Sequence, residues 1–311
     1  MRHGVAKRKL CEKSRGAGAT FTQVWTAVRE SATRPLGEAC RKRLKGAMTN
    51  LASAQLTWDA DLLLRFDFER MQVVHDLLSR VPGFPRQIVD LGCGPGTSTR
   101  MLLDRFPGAE ITAVDISEPM LAVAARRAPG ASFVCADIAA WRPDAPADLV
   151  FADSALQWIG EHEQLFAKLM GWLAPGGVLA VQMPDNRQEP SHALMRLIAA
   201  DGPWASRLVP VAKTRAVIGA YGDYYRWLRP LSASLDIWLT EYIHPLDGVE
   251  AIVDWFRGSA LRPFLAPLSD SERETFLGRY RSDLAESYQE EADGKVLFIY
   301  PRLLMLARKA E

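Results

Sequence analysis

Three glycines at alternate positions, Gly92, Gly94 and Gly96, follow an apolar segment that contains Asp90 and precede a hydroxyl-rich segment. Residues 89–99 read VDLGCGPGTST, which is typical of a buried strand that turns sharply into a helix. Glycine adopts positive φ angles readily and, because it has no side chain, lets a ligand approach the backbone. The spacing differs from the G-x-G-x-x-G of nicotinamide dinucleotide sites, and Asp90 would repel a pyrophosphate but favour a cationic ligand.

Alternating strand-like and helical segments place this glycine loop in an α/β fold. We predict strands at residues 87–91, 110–115, 132–135, 148–152 and 177–183, separated by helices at residues 97–105, 119–127 and 164–173. Strands separated by helices of this length imply parallel pairing in right-handed βαβ units. One or two helices over residues 58–80 precede the first strand, because their apolar residues recur at helical spacing.

The alternation stops after the fifth strand. We predict mostly helical segments at residues 185–230 and 246–292, and further strands at 235–242 and 295–306. The expected fold is therefore a doubly wound, mostly parallel seven-stranded sheet, closed by a late hairpin, with a helical lid inserted after the fifth strand.

The glycine loop resembles motif I of the class I S-adenosylmethionine-dependent methyltransferases. The resemblance implies a Rossmann-like fold, with S-adenosylmethionine bound beyond the carboxyl ends of the strands. At those ends Asp115 suits the ribose hydroxyls and Asp137 the adenine amino group, while Ile138 would pack on the ring. The predicted cofactor-binding residues are Asp90, Gly92, Gly94, Gly96, Asp115, Ile116, Asp137, Ile138 and Ala152, with Arg65 and Arg70 for the methionine carboxylate.

From about residue 58 onwards the chain resembles the trans-aconitate 2-methyltransferase family. The segments that carry this resemblance are LLRFDFER (63–70), LQW (156–158), GGVLAVQMPDN (176–186), EPSH (189–192), DGPW (201–204) and LRPFL (261–265). They extend through the predicted lid, which a methyltransferase with another acceptor would not share. The resemblance implies methyl transfer to a carboxylate of trans-aconitate, which forms the monomethyl ester.

This reaction agrees with the residues present. A carboxylate with a pKa of about 4 is ionised at neutral pH, so it needs no general base. The enzyme has to align the carboxylate with the methyl group and exclude water. We predict Gln157 and Trp158, after the fourth strand, as the catalytic residues beside the sulfonium. Clamps for the other carboxylates are predicted among Arg187, His192, Tyr224, Tyr225, Arg262 and Arg302.

Two other functions stay open at this point. The same chemistry could act on another acid, such as a fatty, isoprenoid or carrier-bound malonyl carboxylate, and a long apolar lid pocket would favour this. A cofactor-binding regulatory protein without turnover is the alternative from another class. A nucleic-acid methyltransferase is disfavoured, because the fourth strand is not followed by the N/D-P-P-Y type of sequence used for amino-group methylation.

Charge and composition further restrict the functions and partners that the chain can have. Of the 311 residues, 48% are hydrophobic and 24% charged, as in an ordinary globular protein. Residues 1–47 carry a net charge of +9 and the remainder −8, which disfavours nucleic-acid binding by the main body. The four cysteines have no metal-ligand spacing, and no apolar run reaches the length of a membrane span. We therefore expect a cytoplasmic monomer with a small-molecule carboxylate substrate and without metal, nucleic-acid or membrane partners.

The basic segment at residues 1–47 has no sustained apolar periodicity. It could be a disordered tail or lie upstream of a translation start at Met48; an organelle transit peptide, an arm for nucleic acid or anionic membranes, or a structured element are the alternatives. We predict a disordered extension over 1–47 and a methyltransferase domain over 48–311.

Overall fold

The computed structural model describes residues 58–214 and 218–311. The predicted extension over residues 1–47 lies outside these ranges. Two helices come first, α1 (Ala60–Leu64) and α2 (Asp67–Ser79), as the apolar periodicity predicts. Asp59 caps α1 by accepting a hydrogen bond from the Leu62 backbone N–H at 3.0 Å.

Seven strands form one sheet in the order β3-β2-β1-β4-β5-β7-β6. The first five strands are parallel, and β7 is antiparallel to both of its neighbours. This arrangement confirms the predicted fold class. The strands are β1 (Gln87–Leu91), β2 (Glu110–Asp115), β3 (Ser132–Cys135), β4 (Ala147–Asp153), β5 (Leu173–Pro184), β6 (Ser232–Asp247) and β7 (Lys295–Lys309).

Helices connect the parallel strands and form the inserted segments. Between the parallel strands lie α3 (Thr97–Arg105), α4 (Glu118–Arg127) and α5 (His162–Trp172). Between β5 and β6 lie α6 (Pro190–Ala200), α7 (Ala205–Thr214) and α8 (Tyr221–Leu228). Between β6 and β7 lie α9 (Gly248–Arg257), α10 (Arg262–Leu265) and α11 (Asp270–Ser287). The helical segments after β5 occupy the positions predicted for the lid.

The β6–β7 hairpin is longer than the sequence predicts. Residues 302–308 of β7 pair with β5, whereas residues 295–301 pair with β6 alone. Half of the hairpin therefore extends beyond the parallel sheet. The predicted strand at 235–242 is too short because the alternation of buried side chains continues through Tyr242, His244 and Leu246. Pro245 is compatible with this extension because β6 is an edge strand.

Apolar side chains bury both faces of the sheet and the extended hairpin. Leu77 of α2 and Leu102 of α3 pack with Ile88 on one face, and Phe166 of α5 packs with Val150 on the other. A third cluster joins the extended hairpin to the lid, and it includes Trp255, Phe256, Phe264, Phe276, Phe298 and Tyr300. The lid is thus anchored on a continuous apolar core. None of the described helices combines the length and the apolar character that a membrane span requires.

Candidate active site

The glycine loop lies at the carboxyl end of β1, and its three glycines have different surroundings. Gly92, Gly94 and Gly96 have φ angles of +70°, +52° and +88°. A Cβ on Gly92 would lie 2.3 Å from the Ala155 Cβ, and one on Gly96 would lie 2.9 Å from the Ala124 Cα. A Cβ on Gly94 would meet nothing within 4 Å. Packing therefore requires two of the glycines, and the third faces open space that a ligand could use.

Asp90 is wholly buried beneath this loop. Its Oδ2 accepts hydrogen bonds from Ser98 Oγ at 2.8 Å and from Thr99 Oγ1 at 2.7 Å. Burial raises the pKa of Asp90 to about 7. Through Oδ2 the carboxylate ties β1 to the first turn of α3, while its buried Oδ1 has no described partner, so a direct contact with the cofactor stays a prediction.

Asp115 connects the loop to the end of β2. Its Oδ2 accepts from the Gly94 backbone N–H and its Oδ1 from the Ser117 N–H, both at 2.9 Å. Burial raises the pKa of Asp115. The next side chain, Ile116, is large and apolar, yet it is 64% exposed. The structure thus brings an acid and an exposed apolar side chain beside the open position of the loop.

The ends of β3 and β4 complete this edge of the sheet. Asp137 is exposed, and its Oδ1 accepts from the Ala139 N–H at 2.8 Å. Ile138 Cδ1 lies 3.8 Å from the position of a Cβ on Gly92, which puts this side chain against the glycine loop. Ala152 does not belong to the edge: it is wholly buried between β1 and β5, so its side chain packs in the core instead.

The two N-terminal arginines differ sharply. Arg65 is half exposed and forms an ion pair with Asp254 of α9. Arg70 is partly exposed as a whole, but its guanidinium stacks over the Trp255 ring at 4.4 Å, and its Nε and Nη2 are buried without a described hydrogen-bond partner. Arg65 thus already has a carboxylate partner, whereas Arg70 has buried donors without one, and contact of either arginine with the cofactor stays a prediction.

Arg302 lies on β7 at the point where this strand begins to pair with β5. It is 1% exposed, and its Nη1 donates to Ser154 Oγ at 2.8 Å and to Gln182 Oε1 at 3.1 Å. Its guanidinium also lies 4.3 Å from the centre of the Tyr300 ring. Within the described part of the chain, its Nε has no hydrogen-bond partner. Arg302 is thus buried with one unused donor.

The buried charges around these arginines do not balance. Arg70 and Arg302 each lower the pKa of His244, which burial and these two cations bring to about 4, so His244 is neutral at pH 7. Asp153 is the buried carboxylate that interacts with both arginines, and burial raises its pKa. Asp67 also attracts Arg70, but it forms an ion pair with Arg127, so three arginines of this cluster face two carboxylates. An uncompensated buried charge is costly, so this cluster suits an anionic ligand.

A cavity of about 150 Å³ adjoins Gln157 and the end of β5. Gln157 donates from Nε2 to the Ser154 carbonyl at 2.5 Å, and its buried Oε1 has no described partner. Arg187 also lines the cavity, and burial lowers the pKa of its guanidinium. His192 is buried edge-on against Phe256, with ring centres 4.6 Å apart. The cavity therefore combines polar groups from three segments.

Trp58 is a site residue that the sequence analysis missed. Arg262 lies over its ring at 4.0 Å, and Trp158 meets it edge-on at 5.6 Å. Burial lowers the pKa of Arg262 to about 10, and its Nη2 has no partner among residues 58–214 and 218–311. Trp58 thus joins the segment after β4 to the lid. A lone tryptophan before a short helix carries no sequence signal for this position.

Comparison with known proteins identifies the family. A family model described as "Methyltransferase domain" matches residues 88–177, from β1 into β5. The trans-aconitate 2-methyltransferase of Methylobacterium nodulans is 49% identical over 253 residues, which cover 81% of this chain and 98% of that protein. The one from Paracidovorax citrulli is 48% identical, with the same coverage. The chain belongs to the trans-aconitate 2-methyltransferase family.

The fold of this family member also occurs in more distant proteins. The crystal structure of the YcgJ protein from Bacillus subtilis matches with a TM-score of 0.50 at 15% identity, and the match covers 78% of this chain and 99% of that one. Similarity at this level concerns the fold alone. Among the described residues of the methyltransferase, no group of three His, Cys, Asp or Glu side chains could hold a metal ion.

Two tyrosines predicted as substrate ligands lie elsewhere in this methyltransferase. Tyr224 is wholly buried, and its hydroxyl is hydrogen-bonded to His162 and Gly219. Tyr225 is 54% exposed and lines a separate groove with Trp238 and Leu239. Both expectations are corrected. Consecutive residues on a helix point in different directions, so α8 cannot present both side chains to one site.

Proposed function

We propose that this chain transfers a methyl group from S-adenosylmethionine to one carboxylate of trans-aconitate. The products are the monomethyl ester and S-adenosylhomocysteine. The observation that carries the proposal is the buried positive charge of Arg302, which pairs with Pro184 at the edge of a small cavity that also contains Arg187. The relatives that bear this name match nearly their whole length, including the lid.

Methyltransferases of this class use S-adenosylmethionine, and the residues present fit it. The open side of Gly94 leaves room for the ligand beside the loop. In this proposal Asp115 faces the ribose, Asp137 the adenine amino group, and Ile116 with Ile138 the adenine ring. The buried, unpartnered N–H groups of Arg70 suit the methionine carboxylate. When bound, the cofactor supplies an electrophilic methyl group on its sulfonium.

The acceptor carboxylate is itself the nucleophile in this reaction. It is ionised at neutral pH, so no residue has to remove a proton. The protein's contribution is to orient one carboxylate oxygen and to exclude water. We assign this orientation to Gln157 and Trp158. Arg187, His192, Arg262 and Arg302 hold the carboxylates that do not react, and Trp58 supports Arg262 by stacking.

The dimensions of the cavity support a small acid over a fatty one. A fatty or isoprenoid chain would need a long apolar channel, whereas this cavity measures about 150 Å³ and contains Gln157, Asn186 and Arg187 among its lining residues. Asn186 is buried with an unpartnered Nδ2 in the described structure, so it offers a further donor for a carboxylate.

We also propose the domain boundaries, the cellular location and the oligomeric state. Residues 48–311 form the methyltransferase domain, and residues 1–47 are an extension outside it. The enzyme acts as a cytoplasmic monomer on a small molecule. In support, Cys93 and Cys135 are free thiols, and a site completed within one chain needs no partner subunit.

Turnover of methyl-labelled S-adenosylmethionine by the full chain tests the proposal. The acceptors are trans-aconitate, cis-aconitate, citrate and a medium-chain fatty acid. We expect selective transfer to trans-aconitate. Arg187→Gln should lower kcat/KM for trans-aconitate, whereas Arg226→Gln, a matched change at an exposed arginine paired with Asp223, should not. Transfer to the fatty acid alone would refute the acceptor, and tight cofactor binding without transfer to any acid would favour a regulatory protein.

A further inference from the structure

His162 and Tyr224 are buried side chains that the proposed chemistry does not use. His162 Nδ1 and the Tyr224 hydroxyl lie 2.6 Å apart, and His162 Nε2 lies 3.0 Å from the Leu156 carbonyl oxygen. The Gly219 backbone N–H points at the same hydroxyl from 3.0 Å. These three hydrogen bonds form one continuous chain of four residues.

The donors and acceptors determine where each proton lies. The Gly219 N–H can only donate, so the Tyr224 oxygen accepts from it, and the Tyr224 O–H remains available to donate to His162 Nδ1. The Leu156 carbonyl can only accept, so His162 carries its proton on Nε2. With Nδ1 accepting from the Tyr224 O–H and Nε2–H donating to Leu156, the hydrogen bonds are those of the Nε2–H tautomer of His162. Every polar atom in the chain is satisfied, and a change at either side chain leaves a buried group without its partner.

The two ends of this hydrogen-bond chain adjoin two walls of the cavity that come from different segments. Leu156 begins the short 3₁₀ turn that carries Gln157, and Gln157 lines the cavity. Gly219 follows Ile218, which lines the same cavity from the lid segment. The hydrogen bonds thus connect the segment after β4 to the segment before α8. The position of one wall relative to the other depends on them.

We propose that His162 and Tyr224 are positioning residues that set the separation of these two walls and thereby the fit of the acceptor. The inference rests on the proposed function, because it takes the cavity as the acceptor site. Neither side chain touches the acceptor. They act through Gln157 on one side and Ile218 on the other. The hydrogen-bond chain includes none of the residues proposed to bind the cofactor.

Aromatic packing makes Tyr224→Phe a clean test. The Tyr224 ring packs against Phe166 and Trp227, with ring centres 5.0 and 5.3 Å apart, and phenylalanine keeps both contacts. The substitution therefore removes the hydroxyl alone. Tyr225→Phe is the matched control, because it removes the same atom from the adjacent, exposed residue.

For Tyr224→Phe, which removes the hydrogen bonds to His162 and Gly219 together, we expect KM for trans-aconitate to rise about threefold to tenfold. The Kd for S-adenosylhomocysteine, measured by calorimetry, should stay at the wild-type value, and Tyr225→Phe should leave both constants unchanged. A parallel loss of acceptor and cofactor affinity would show a merely structural role and overturn the proposal. So would an unchanged KM.

Nitrogen-15 NMR of the wild-type protein tests the same chain without turnover. The His162 signals, assigned by their loss in His162→Gln, should show a protonated Nε2 and an unprotonated Nδ1 at neutral pH. The opposite tautomer or a charged ring would overturn the hydrogen-bond chain even if trans-aconitate is the substrate. If trans-aconitate is not methylated but this tautomer is found, the proposed acceptor is refuted and the hydrogen-bond network is confirmed.

Discussion

Alanine substitutions at Gly92 and Gly94 separate the packing role of the glycine loop from its role in binding. Both residues have positive φ angles, so an alanine Cβ costs about 1–2 kcal/mol at either position. At Gly92 the new Cβ would also lie 2.3 Å from the Ala155 Cβ, and such overpacking adds about 1–3 kcal/mol. At Gly94 nothing lies within 4 Å.

We therefore expect Gly92→Ala to lower the free energy of unfolding by about 2–5 kcal/mol, a large part of the usual 5–15 kcal/mol. Gly94→Ala should lower the free energy of unfolding by only about 1–2 kcal/mol. Its methyl group would instead enter the space proposed for the cofactor. An intrusion worth about 1–3 kcal/mol corresponds to an increase of about fivefold to 150-fold in the Kd for S-adenosylhomocysteine.

Urea denaturation measures the first quantity and isothermal titration calorimetry the second. Unchanged S-adenosylhomocysteine affinity in Gly94→Ala would refute the placement of the cofactor at the open side of the loop. Equal stability of the two variants would refute the packing argument, because that argument depends on the contact between Gly92 and Ala155 alone.

Three further predictions concern the charged and aromatic groups. Arg70→Met should raise the Kd for S-adenosylhomocysteine about tenfold or more, since a charged hydrogen bond is lost. Arg65→Met, which removes an arginine that is ion-paired with Asp254, should change this Kd less than about twofold in the same calorimetry. Burial holds the pKa of His244 near 4 rather than 6.5, so between these pH values the unfolded chain binds a proton at this residue and the folded chain does not. This residue should therefore lower the free energy of unfolding by about 3 kcal/mol as the pH drops from 6.5 to 4. Urea denaturation at the two pH values measures this decrease, and it should be absent in His244→Phe. Trp58→Ala should raise KM for trans-aconitate about threefold to tenfold by removing the ring under Arg262, and Trp58→Phe should raise it less.

The first three strands could be predicted closely from the sequence, for a physical reason. β1, β2 and β3 are short apolar runs bounded by turn residues, and their observed limits equal the predicted ones. The β6–β7 hairpin could not be predicted as well, because half of it pairs outside the sheet and packs on lid helices. Its length depends on tertiary contacts that leave no local pattern.

For the site, the sequence could indicate which strand ends meet but not which side chains are already engaged. Asp115 and Ile138 lie beside the glycine loop because parallel strands end at one edge of a sheet. Arg65 and Tyr224 match the expected residue types equally well. However, a carboxylate on α9 engages the first and a buried histidine engages the second. Both partners are distant in the chain, so no local pattern shows them.

Burial also distinguishes the functional arginines from the others. Arg70 comes from the helix before β1 and Arg302 from the last strand, and the fold places both beside Asp153 with donors unused. In the free protein this arrangement opposes folding, because Arg70 and Arg302 share Asp153, while Asp67, which also attracts Arg70, is paired with Arg127. A bound carboxylate would supply the missing negative charge and accept the unused N–H groups. The interactions that cost stability in the free protein would then favour binding of an anionic ligand.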